Sequence, residues 1–292
     1  MRRRRPHSVF IIFIIFILYN LPATFTEAVE IVRLDQAKVR LSIPPGSSKT
    51  GSIKVENPSP DLKNIRIYSE DWVYLPAGDG TKNFKPAGTT ALSAVPWISF
   101  APSEFKIPAY GRQVLNYTVR VPSSARGGHY AVLFFEDYLG NEKVASEGVS
   151  INLAVRVASL FYIEPEGTIN RTSQIDNLKI TKKENKLYFT VKFTNTGNVD
   201  ITTEGTFFII NQKGMVYARG KFNNIYTLPG DSANLVSTWK GLIPKGKYDL
   251  VLSIDIGKGL EETGLGRGPV ITKEAEIELD ENGEVIGLGE LK

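Results

Sequence analysis

Apolar residues recur along the chain with a period of two. Ser52-Ile-Lys-Val-Glu56 puts Ile53 and Val55 on one side. Leu115, Tyr117, Val119 and Val121 share a face, and so do Val149, Ile151, Leu153, Val155 and Val157. Period two is the spacing of a β-strand with one buried face. It predicts strands near 29–34, 37–43, 52–56, 63–73, 97–100, 105–107, 113–121, 128–136 and 148–162. Beyond 167 it predicts strands near 178–181, 186–194, 201–211, 215–218, 232–239, 248–256 and 271–279. Gly, Pro, Asn and Asp clusters separate them, and Asp137-Tyr-Leu-Gly-Asn141 reads as one such turn. Helical periodicity is almost absent. The pattern is that of an all-β chain of sandwich domains.

The stretch Gly128-His-Tyr-Ala-Val-Leu-Phe-Phe-Glu136 is apolar on both faces. A strand of that kind is either central in a covered sheet or offers one face to a partner. Residues 75–96 differ from the rest. They are rich in Gly, Pro, Ala and Asp with one aromatic, Phe84, and read as a long loop or irregular hairpin.

Two segments share a template. Asn57 closes one strand before a turn, and Asn195 closes another before Thr196-Gly-Asn198. Ile107-Pro108, Pro122 and Gly128-His-Tyr130 are echoed by Leu228-Pro229, Pro244 and Gly246-Lys-Tyr248. The interval from Asn57 to Gly128 is 71 residues, against 51 from Asn195 to Gly246, and 75–96 accounts for most of the excess. Repetition with a local insertion predicts two tandem sandwiches, at 29–164 and 165–292, with added function in the insertion.

Residues 1–28 precede this pattern. Arg2 to Arg5, an apolar run from Val9 to Leu18, and Thr26-Glu-Ala28 have the charge, length and small-residue order of a cleavable signal peptide. An uncleaved anchor is the other reading of the same run. Either makes the chain an exported protein, periplasmic or secreted, and later residues contain no run able to span a membrane. The segment also explains the charge. The chain is +4, but four arginines and one glutamate lie in residues 1–28, leaving 31 basic against 30 acidic residues. That near balance gives no overall attraction for nucleic acid or acidic membranes.

Candidate chemistry adds little. There is no cysteine, so disulfides, thiol catalysis and thiolate metal sites are excluded. His129 is the one histidine after residue 28. Without a nucleophile and an orienting acid it reads as a locally bonded strand-entry residue. Glu70-Asp71, Glu136-Asp137 and Glu261-Glu262 are chain neighbours, which point to opposite faces of a strand and do not cooperate. Gly264-Leu-Gly-Arg-Gly268 lacks the following helix of a phosphate loop. We expect no catalytic residues, no metal and no cofactor.

The long strand ends in Ser159-Leu-Phe-Tyr-Ile-Glu-Pro165, after the aromatic strand 128–136. Together with exported tandem sandwiches, these residues resemble the two-domain, immunoglobulin-like pilus-assembly chaperones of the Gram-negative periplasm. The resemblance spans most of residues 30–255. It implies a non-enzymatic assembly factor that adds a strand to exported protein subunits. Val149, Ile151, Leu153, Val155 and Val157 would be the donated stripe, with Tyr130, Phe134 and Phe84 as secondary contacts. Alternation alone leaves a second reading open, in which the stripe packs its own domain core. The chain departs from the family in one respect. The family's basic residue before Leu-Phe-Tyr, which anchors a client carboxylate with an arginine on the first strand, is Ser159 here. Arg156 lies on the opposite face, and Arg33 is the candidate for the other member. A secondary resemblance, to the WxL-interacting surface proteins, implies the alternative function: a structural envelope module recognising wall polymer or another surface protein.

Overall fold

The structure is a computed structural model. It describes residues 31–143, 150–257, 260 and 268–292, and side chains at all of these except 139–143 and 150–153. The candidate signal segment 1–28 lies outside the described residues, as does Val149. Residues 31–292 form one compact unit.

Ten strands come from 33–165: β1 (Arg33–Leu34), β2 (Lys38–Ile43), β3 (Ser48–Glu56), β4 (Lys63–Tyr74), β5 (Lys82–Lys85), β6 (Ile98–Ala101), β7 (Glu104–Ile107), β8 (Arg112–Arg120), β9 (His129–Lys143) and β10 (Ser150–Pro165). A four-stranded sheet, β1-β3-β8-β6, faces a sheet in the order β2-β10-β9-β4-β5, with β7 also on β4. Alternation decides which side chains enter. Ile53, Val55, Leu115 and Val119 from the first sheet meet Leu133, Phe135, Phe161 and Ile163 from the second. Each such side chain, fully buried, contributes about 1.5–3 kcal/mol.

Ten more strands follow: β11 (Ser173–Lys183), β12 (Lys186–Asn195), β13 (Ile201–Thr202), β14 (Glu204–Asn211), β15 (Val216–Lys221), β16 (Tyr226–Thr227), β17 (Ser232–Lys240), β18 (Gly246–Asp255), β19 (Val270–Leu279) and β20 (Val285–Leu288). They make sheets β11-β12-β17, β13-β16 and β15-β14-β18-β19-β20. A second core, with Phe189, Phe193, Phe207, Leu250 and Leu252, lies between the large sheets. The described chain is thus all-β, with two sandwiches and two separate cores.

The sequence echo has a bonding counterpart. Asn57 and Asn195 are both buried. Each side-chain oxygen accepts the backbone N–H two residues on, from Ser59 and Gly197, at 3.0 Å. Each side-chain nitrogen donates to the carbonyl four residues on, of Asp61 and Val199, at 2.6 and 2.9 Å. Only a short amide side chain supplies a donor and an acceptor within this reach, so asparagine marks the same corner twice.

Two expectations change. The turn expected at 137–141 is strand: β9 continues to Lys143 and pairs with Ser150–Ala154 of β10. A register shift between Leu153 and Ala154 absorbs the irregularity there. A continuous ladder outweighs the local turn preference of Gly140-Asn141. Beyond 279, where the sequence pattern predicts no strand, β20 pairs with β19, and Lys292 exchanges backbone bonds with Glu274 at 2.9 and 3.0 Å.

Candidate binding surface

β10 changes neighbours along its length. Residues 160–163 lie between β9 and β2, and the parallel pairing with β2 runs from Leu160↔Lys38 to Pro165↔Ile43. Residues 150–159 pair with β9 on one side, and no strand among the described residues pairs with the other. An open edge of that length presents unpaired N–H and C=O groups, which proteins usually cover or blunt.

Alternation sends β10 side chains to two places. Phe161 and Ile163 enter the first core, with Val157 partly buried against it, while Ala158, Leu160 and Tyr162 join an aromatic cluster on the other face of the sheet. That cluster contains Trp72, Tyr74, Tyr130, Val132, Phe134 and Tyr162, and it takes Leu228 from the second sandwich. Trp72 is central, with Tyr74, Tyr130 and Tyr162 at 5.1, 5.3 and 5.2 Å between ring centroids. Its indole N–H donates to the Ala131 carbonyl at 3.0 Å. Farther out, Phe84 meets Phe134 edge-on at 4.8 Å, and the Arg156 guanidinium lies 3.9 Å over Phe134. Arg156 also donates to the Tyr68 hydroxyl and to Glu70, at 3.1 and 3.3 Å.

The expected contact residues therefore separate. Tyr130 and Phe134 are each 2% exposed, so both are interior side chains and neither offers surface to a partner. Their aromatic face meets Trp72, Tyr68 and the second sandwich before it meets anything else. Phe84 is half-buried. Val155 and Val157 are half-buried on β10, and Ile151 and Leu153 lie on its open-edged half.

The insertion is also used internally. Tyr226 of the second sandwich donates its backbone N–H to the Gly78 carbonyl at 2.9 Å. Gly78 has φ +68°, and a Cβ there would stand 2.6 Å from that of Ala233. Asp71, buried, gathers Thr90 and Ser93 at 2.6–3.1 Å, and Ala94 donates to the Tyr130 carbonyl at 2.7 Å.

Sequence reading missed the ionic centre. Arg40 on β2, opposite Tyr162, makes a bidentate pair with Asp200 at 3.0 and 2.6 Å and also donates to Glu164. Arg171 holds the other Glu164 oxygen at 2.7 Å. The Tyr130 hydroxyl accepts the Asp200 backbone N–H at 2.6 Å. Burial disfavours the Arg40 cation, but the charges and hydrogen bonds of Asp200 and Glu164 more than compensate and raise its pKa. Burial, reinforced by the Asp200 charge, raises the Tyr130 pKa well above the usual phenol value. No periodicity marks such residues, because each partner comes from a distant part of the chain.

Ser159 is buried and donates its hydroxyl to the Gln36 carbonyl at 2.8 Å. Arg33 is exposed on β1, paired opposite Glu56 in the four-stranded sheet. Besides Arg156 over Phe134 and Arg40 at 4.5 Å from the Tyr162 ring, two lysines lie beside the aromatic cluster. The Lys38 ammonium is 5.0 Å from the Tyr162 ring centroid, and that of Lys82 is 5.3 and 5.7 Å from the Tyr74 and Trp72 rings. Burial, then repulsion from Lys38, lowers the Lys82 pKa.

His129 lies against Trp97 at 4.1 Å between ring centroids, tilted by 37°, and shares a hydrogen bond with the Gly127 carbonyl at 3.2 Å. Among the described residues no group of three His, Asp or Glu is placed to hold a metal ion, and no helix is long and apolar enough to cross a membrane.

No protein-family model matches the chain, and no curated protein does. Solved structures similar to it include the class 5 fimbriae chaperone CfaA, at 15% identity and TM-score 0.47, over 83% of this chain and 98% of that one. The Pseudomonas aeruginosa CupB2 chaperone is similar at 11% identity and TM-score 0.39, over 84% and 98%. The Salmonella enterica SafB chaperone, solved with the SafA pilin, gives 14%, 0.40, 84% and 96%.

Proposed function

We propose that this chain is a periplasmic or secreted, non-enzymatic, chaperone-like assembly factor that binds exported subunits of a surface structure by β-strand addition. The observation that carries the reading is the change of neighbours along β10. Its second half is held by β9 and β2, and its first half, 150–158, has no second strand partner among the described residues. A rigid strand held at one end and open at the other is a template for an incomplete sheet. Backbone bonds would supply affinity, and Val149, Ile151, Leu153 and Val155 would supply side-chain specificity. Lys38 and Lys82 flank the aromatic cluster and would receive a client carboxylate in place of a basic residue at 159.

A photo-crosslinking residue at position 155 of the full chain, activated in the producing cells, tests this. Mass spectrometry of the adducts should recover small exported subunits. Recovery of wall-polymer fragments alone, or of no adduct at 155, would overturn the reading.

A further inference from the structure

Near charge balance along the sequence conceals a one-sided sheet. In the three-stranded sheet, Lys183 lies directly opposite Lys186, and Lys186 directly opposite Lys240. Three lysines thus form one row across three strands, although like charges directly opposite each other are destabilising. The same outer face carries Lys179 and Lys192, with Tyr188 among them and Asp176 as its acid. Glu184 sits in the adjoining β11–β12 turn. Among the described residues none of these five lysines lies within ion-pair distance of a carboxylate. Lys182 and Lys245 at the same end do, with Glu284 at 3.9 Å and Glu281 at 3.0 Å.

Leu242 follows the last lysine of the row by two positions and is 97% exposed. Lys182, Lys240 and Leu242 border an open depression of about 370 Å³ at this end of the second sandwich. A leucine held out into solvent beside a row of cations is costly in water. It matches the boundary of an anionic bilayer, where the ammonium groups meet lipid phosphates and the alkyl group enters the acyl region.

We infer that this end of the second sandwich docks peripherally on an anionic lipid surface, through Lys183, Lys186 and Lys240 with Leu242 as the apolar contact. The lysine row spans three adjacent strands of one sheet face, and Leu242 gives it an apolar anchor that a purely polyanionic polymer would leave unused. The surface is separate from β10, so this inference and the proposed function stand or fall independently.

The chain has no cysteine, so Leu242→Cys gives a single labelling position. A full-length L242C chain carrying an environment-sensitive fluorophore should blue-shift on mixed phosphatidylglycerol–phosphatidylcholine vesicles and not on phosphatidylcholine alone. K183Q/K186Q/K240Q should weaken flotation with the mixed vesicles on the order of a hundredfold, at roughly fivefold per lysine. Residues 1–30 are common to both chains, and the fluorophore at 242 reports contact by this surface whatever vesicle affinity they have. An unshifted fluorophore at 242, or flotation indifferent to the three substitutions, would overturn the inference. Lysine-dependent binding of polyphosphate with no shift at 242 would also overturn it, assigning the row to a soluble polyanion.

Discussion

Arg40 is the residue on which the junction between the sandwiches depends. Its side chain is 5% exposed, and those of its partners Glu164 and Asp200 are 6% and 2% exposed. Removing one member of such a set leaves a buried charge without its partner, which costs about 3–5 kcal/mol. Arg40→Ala should lower stability by that amount in urea unfolding, whereas Arg112→Ala, an exposed pair with Glu56, should lie within about 1 kcal/mol of wild type. The repeated asparagines make a quieter prediction. Asn57→Ala and Asn195→Ala each strand buried backbone groups, and each should cost about 1–3 kcal/mol by the same measurement. His129 gives a pH signature. Burial lowers its folded-state pKa below the ordinary value near 6.5. The unfolded chain therefore binds the proton more readily, and stability falls as pH drops through the unfolded value towards the folded one. Stability measured from pH 7 to pH 5 should decline less steeply in His129→Gln, and an unchanged slope would contradict this assignment.

At the scale of elements, β10 is the part whose two halves obey different rules. Alternation is continuous from Val149 to Val157, so the sequence shows a stripe but not its surroundings. Pairing with β2 begins only at Leu160, because β2 is six residues long and runs parallel from that point. Val155→Asp on the open half should abolish co-purification of exported subunits from the producing cells and, since Val155 is only half-buried, cost less than about 1.5 kcal/mol in stability. Phe161→Ala on the closed half should cost about 3–5 kcal/mol, since Phe161 is fully buried. The aromatic strand β9 was legible as apolar on both faces. Its second face is covered by Trp72, Tyr68 and the second sandwich, a fact that depends on residues far away in sequence. Insertion 75–96 was legible as a long loop or irregular hairpin, and β5, which lies within it, pairs back onto β4. Its docking on Tyr226 and Ala233 was not legible, because Gly78 looks like any turn glycine until its neighbour is known.

Across the whole molecule, the two sandwiches are joined by ionic, aromatic and backbone contacts at once. Arg40 reaches Asp200, Leu228 joins the first sandwich's aromatic cluster, Gly128 donates to the Asn198 carbonyl at 2.7 Å, and Tyr226 donates to Gly78. Calorimetry of the full chain should therefore show coupled unfolding of both sandwiches. Gly78→Val should begin to separate the transitions, since φ +68° disfavours a β-branched residue and its side chain would strike Ala233.

The sequence by itself determined the all-β class, most strand positions, the repeated asparagine corners and the absence of thiol chemistry. These follow from local periodicity and composition, which each short segment carries within itself. Only the tertiary structure decided which half of β10 lacks a second strand partner among the described residues, that Tyr130 and Phe134 are interior, and that Arg40 finds Asp200. It also decided that five lysines from three strands share one face. Such facts come from strand register and sheet order, and these are fixed by contacts between residues that no local pattern brings together.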